Sequence, residues 1–121
     1  MDKLTILLRQ IHPCFFKKGK ILQGAFDPYD HDNISVYDGS QISPEAAFTH
    51  YKDVFNLASI GVAGVSVDEC EQTNLTVTPT PSPKNPAHCL IDFNDIPLRE
   101  RQFKVMRLCL LANQRGLLYR P

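Results

Sequence analysis

The chain's 121 residues are 43% apolar and 21% charged, enough to bury one core and too few for two ordinary domains. Lysine plus arginine and aspartate plus glutamate number 13 each, and a net charge of zero excludes a protein that coats nucleic-acid duplexes through bulk charge. The apolar runs, such as residues 108–112, fall far short of the roughly 20 residues that cross a bilayer. No membrane partner is therefore expected. The first eight residues carry no cleavage signal, and the four cysteines are dispersed without a CxxC pair, so reduced thiols in a mature cytoplasmic protein are the expectation.

In chain order, residues 3–11 read as a first strand. His12-Pro13 breaks it, because proline restricts its predecessor and lacks an N–H donor. Lys17-Lys18-Gly19-Lys20 reads as a turn, followed by an extended stretch over residues 21–26. The segment from Asp27 to Asn33 has the composition of a loop. Residues 33–37 form a short strand with Ile34 and Val36 on one face and Ser35 and Tyr37 on the other.

Ser43-Pro44-Glu45 is a helix start: serine caps free amides, proline fills the first position, and glutamate suits the positive dipole end. Ala47, Tyr51, Val54 and Phe55 then recur at helical spacing and predict the buried stripe. Residues 57–67 carry apolar side chains on both faces, the pattern of a central strand, and Gly61 and Gly64 leave room for close packing. One helical turn capped by Asp68 and an edge strand over 75–78 follow.

Pro79, Pro81, Pro83 and Pro86 make residues 79–86 a proline-rich surface loop rather than a domain boundary. Residues 87–93 predict a second buried strand. A long helix over 98–115 ends at Gly116, with Phe103, Met106, Cys109 and Leu110 as its expected inner stripe, and residues 117–119 return as a strand or tail. The order predicts a single α+β domain over residues 1–121, a mostly antiparallel sheet with two amphipathic helices packed on one face.

Charge is sorted along this chain. Residues 1–20, 21–95 and 96–121 carry net +4, −9 and +5. The basic ends predict a docking surface formed by Lys17, Lys18, Arg99, Arg101, Lys104 and Arg107, with an acidic protein as the first partner and nucleic acid as the alternative. No motif implies a cofactor. The histidines His12, His31, His50 and His88 stand in no zinc spacing, and Asp30-His31-Asp32 reads as a solvated turn, so no metal site is expected. His88 on a buried strand needs partners, and Asp92 on the same face is the expected one.

Arg9 and His12 on or beside a first strand, followed by Ser35-Val36-Tyr37, resemble the arrangement with which ADP-ribosyltransferase-like folds hold a dinucleotide. That resemblance covers about a third of the chain and implies His12, Arg9 and Tyr37 as catalytic candidates. More broadly, His12-Pro13-Cys14-Phe15, Ile34-Ser35-Val36-Tyr37-Asp38-Gly39, Ser43-Pro44-Glu45, Asp68-Glu69-Cys70 and His88-Cys89-Leu90-Ile91-Asp92-Phe93 resemble phrases of a family of small bacterial proteins with no assigned activity. Two functions are expected from these features. The first is an intracellular interaction module, such as an immunity, antitoxin-like or accessory component of a toxin–antitoxin or phage-defence locus. The alternative is a small enzyme acting on a nucleotide or nucleic acid.

Overall fold

The computed structural model describes residues Met1 to Pro121. The first strand, β1 (Ile6–Ile11), ends where His12 caps a 3-10 turn over Pro13–Phe15: its Nδ1 accepts from the Cys14 amide. A small hairpin follows, β2 (Phe16–Lys17) and β3 (Lys20–Ile21). Lys18 and Gly19 turn it with positive φ at both positions, the geometry that matches strand twist in a two-residue loop. The stretch expected to be extended to residue 26 instead closes into a 3-10 turn, Gln23–Phe26, which buries Ala25 and Phe26.

The strand β4 (Asn33–Asp38) leads to the helix α1 (Pro44–Phe55), capped as its sequence predicts by the Ser43 hydroxyl. Next come β5 (Gly61–Ser66) and a short helix α2 (Val67–Gln72). Ser66, rather than Asp68, caps α2 in a reciprocal box with Glu69. The strands β6 (Thr76–Pro79) and β7 (His88–Asp92) flank the proline-rich loop, and α3 (Leu98–Arg115) is the long final helix. The five longer strands form one antiparallel sheet ordered β5-β1-β4-β7-β6. The molecule is therefore an α+β domain.

The longer helices lie on opposite faces of this sheet, where the sequence placed both on one. Alternation along β1 explains the division. Leu7 and Ile11 point into the larger core with Val65, Val36, Ile91 and, from α3, Val105, Leu108 and Ala112. Leu8 points the other way, to Tyr37, Val62 and the α1 residues Ala47 and Phe48. Full burial of side chains such as Leu108 and Val105 contributes about 1.5–3 kcal/mol each.

Three further expectations are corrected. The strand β5 is apolar on both faces because helices cover both, yet it stands at an edge rather than the centre. Its free side is closed by the chain's last residues, with the Val62 amide donating to Tyr119. The glycines make that approach feasible: a Cβ on Gly61 would meet the Tyr119 carbonyl at 2.6 Å, and one on Gly64 would meet Leu118 at 2.7 Å. The α3 stripe is also rotated from its expected position. Phe103, Met106 and Leu110 are 73%, 51% and 49% exposed, while Val105, Leu108 and Ala112 face the sheet. In α1 it is Ala47 and Phe48 that are buried, and Val54 and Phe55 are exposed.

Candidate ligand-binding cleft

The site begins with an interrupted ladder. The strand β1 pairs with β5 along its full length, but with β4 only at Leu7–Asp38 and Leu8–Tyr37. Continuing that register would set Gln10 against Ser35. Instead, Arg9 supplies the next connection through its side chain: Nη1 donates to the Ser35 carbonyl and Nε to the Ala25 carbonyl, both at 2.8 Å. Burial pulls the Arg9 guanidinium below its ordinary pKa, opposed in part by the phenols of Tyr51 and Tyr29. No carboxylate lies within ion-pair distance of it.

Above this gap, on the α1 side, is a cleft of about 340 Å3 whose walls include Arg9, Gln10, Ser35, Tyr37 and His88, with Tyr51 and Phe55 from α1. Gln10 is 9% exposed. Its Nε2 donates to the Ala47 carbonyl at 3.0 Å, while Oε1 is buried and accepts no hydrogen bond. Leaving a buried acceptor unpaired costs about 1–3 kcal/mol.

Two imidazole–hydroxyl pairs reach the same wall, one through Tyr37 and the other through Ser35 and His88. His50 Nε2 sits 2.6 Å from the Lys84 carbonyl, which can only accept, so that nitrogen carries the proton and Nδ1 accepts from Tyr37 Oη at 2.9 Å. Burial, and secondarily Tyr51, pushes the Tyr37 phenol up to about 12; it is a permanent donor at neutral pH. His88 Nδ1 lies 2.6 Å from Thr80 Oγ1 and 3.2 Å from the Thr80 carbonyl, and Nε2 lies 3.1 Å from Ser35 Oγ. The carbonyl favours the tautomer with the proton on Nδ1, and in that tautomer the Ser35 hydroxyl donates to a bare Nε2.

The residues expected from the sequence are divided by the fold. Arg9 and Tyr37 meet in the cleft. His12 does not: it is exposed, and its Nδ1 is occupied by the Cys14 amide at 3.1 Å and lies 3.0 Å from Cys14 Sγ. The partner expected for His88 is also corrected, because Asp92 accepts from the Asn94 amide and His88 turns to Thr80 and Ser35. Gln10, Ser35 and His50 were not among the expected site residues. The same-face alternation of Ser35 and Tyr37 was the available signal; the pairing of Tyr37 with His88, which completes the cluster, is a register that sequence does not encode locally.

Among the cationic candidates, Arg101 is a structural clamp. Its side chain is 10% exposed and donates to Asp32, to the His31 carbonyl and to the Ile96 carbonyl. Lys104 is half-buried and donates to the Thr73 carbonyl at 2.7 Å. Arg99, Arg107, Lys17 and Lys18 are exposed. All four cysteines are free thiols, and burial pushes Cys70 and Cys89 up to about 12 and about 11. His31 lies 3.7 Å from Asp30 in the exposed loop, and no group of three or more His, Cys, Asp or Glu side chains is arranged to hold a metal. No helix is long and apolar enough to cross a membrane. No family model, curated protein or solved structure matches the chain.

Proposed function

We propose that this protein acts on a nucleotide or nucleotide-derived anion held in the cleft, the enzyme alternative among the two functions expected from its sequence. The single observation that carries this reading is Arg9: a half-buried guanidinium at the cleft wall, bonded to two carbonyls and paired with no carboxylate. Withdrawing a cation from water without a counter-charge is unfavourable, and an anionic ligand group supplies that charge. The unpaired Gln10 Oε1 calls for an N–H or O–H donor on the same ligand. Tyr51 and Phe55 offer ring surfaces, and the volume suits a small organic molecule. A phosphate joined to a hydroxyl-bearing sugar and a base meets all three demands.

Calorimetric titration with a nucleoside monophosphate and with a dinucleotide tests the reading. Saturable binding that weakens with salt and is lost in Arg9→Met is the expected outcome. Absence of binding to either, or undiminished binding by a folded Arg9→Met variant, overturns it.

The interaction-module reading keeps one specific support, the outer face of α3, where exposed Phe103, Met106 and Leu110 run beside Arg99 and Arg107. An acidic partner with an apolar ridge is the complement of that face.

A further inference from the structure

The Ser35–His88–Thr80 chain has no role in ligand anchoring, and its geometry asks for one. Ser35 is exposed on β4, its hydroxyl donates to a ring nitrogen held bare, and the opposite nitrogen is fixed by two oxygens of one residue. That is a hydroxyl, a base and an orienting group in sequence. The Ser35 carbonyl is also the acceptor of Arg9 Nη1, so an anion drawn to Arg9 lies beside the residue whose hydroxyl is so arranged.

We propose that Ser35 is a nucleophile and His88 its general base, directed at the phosphorus of the nucleotide anchored by Arg9; the substrate class rests on the cleft reading above. In the first step Ser35 Oγ bonds to phosphorus while the bond from phosphorus to the leaving oxygen breaks. The hydroxyl proton passes to His88 Nε2 and from there to the leaving oxygen. In the second step water attacks the phosphoserine, gives its proton to the same nitrogen, and that proton returns to Ser35 Oγ as the phosphorus–serine bond breaks. The sum is hydrolysis of a phosphoester or phosphoanhydride. Arg9 offsets negative charge on the phosphoryl oxygens in both steps. The Thr80 contacts hold the ring in the tautomer that accepts the proton.

A fluorophosphonate probe tests this, because its phosphorus is attacked by an activated serine with loss of fluoride. Intact mass and peptide mapping of the labelled wild-type protein are expected to place one adduct on Ser35. Labelling should be absent in Ser35→Ala, slowed at least tenfold in His88→Gln, and slowed in the wild type by a nucleoside monophosphate. Circular dichroism checks that the variants fold, and the wild-type map stands without them. No adduct at Ser35, or equal labelling of a folded His88→Gln variant, overturns the nucleophile. Nucleotide binding without labelling overturns the nucleophile alone and leaves the cleft reading intact. A His88-dependent Ser35 adduct in a protein that binds no nucleotide overturns the substrate class and the cleft reading beneath it.

Discussion

The guanidinium of Arg9 reaches the carbonyl of Ser35 across 2.8 Å at the point where the strands carrying them cease to pair. A side chain thus stands where a backbone rung would be. Two adjacent strands remain tied while a cation and a hydroxyl are brought to one cleft.

Arg9 should contribute little to folding. Its replacement by methionine removes the cost of burying a charge and leaves the Ser35 and Ala25 carbonyls without their donor, two effects of similar size and opposite sign. Urea unfolding of Arg9→Met is expected to lie within about 1 kcal/mol of wild type, in contrast to its loss of nucleotide binding.

Gln10→Leu separates stability from function in the same way. The substitution abolishes the orphaned Oε1 along with the bond to Ala47, so the free protein should melt at or above the wild-type temperature. Ligand affinity should fall about tenfold, the equivalent of one lost hydrogen bond at about 1.4 kcal/mol. Thermal scans and calorimetry on the same sample read both effects.

Arg101 and Arg107 should behave as opposites although both belong to the basic end of the chain. Arg101→Ala strips donors from Asp32 and from two carbonyls in a nearly buried setting, and should cost about 2–4 kcal/mol in urea unfolding. Arg107→Ala, on the exposed face, should change stability by less than about 0.5 kcal/mol.

Acid should weaken the link between α2 and α3. Burial alone would raise the Glu69 carboxyl, but Arg115, at 2.9 Å, and the Ser66 amide outweigh it and hold the pKa below its ordinary 4.5. A carboxyl depressed in the folded state stabilises fully above its unfolded pKa and loses that contribution as pH falls through the folded value. Stability should therefore decline below about pH 4.5, and the decline should be shallower in Arg115→Ala. Unfolding free energies measured between pH 6 and pH 3, roughly the carboxylate range, decide the matter.

How far the sequence disclosed all this differs by element. Ser43-Pro44-Glu45 specifies the start of α1 through local hydrogen bonding, and Gly116 marks the end of α3, so both helices were legible. Their orientation was not. In α3 two candidate stripes coexist, Phe103/Met106/Leu110 and Val105/Leu108/Ala112, and residue type alone favours the more aromatic one, which is the exposed one. Leu108→Ala should accordingly cost about 2–5 kcal/mol, while Phe103→Ser should leave the unfolding midpoint nearly unchanged. Arg9 and Tyr37 were legible through the resemblance of their segments to a dinucleotide-holding arrangement, although alternation sets them on opposite faces and Arg9 reaches the cleft only through the gap between β1 and β4. His88 and Gln10 joined them only through strand order and register, set by contacts between residues distant along the chain.

The tail that bonds to Val62 covers part of the border of the sheet. Without Tyr119 and its neighbours, β5 would present an unsatisfied, apolar border to solvent, and unpaired strand borders recruit other chains. The residues that bond to Val62 thus occupy backbone groups on which an added strand would otherwise pair.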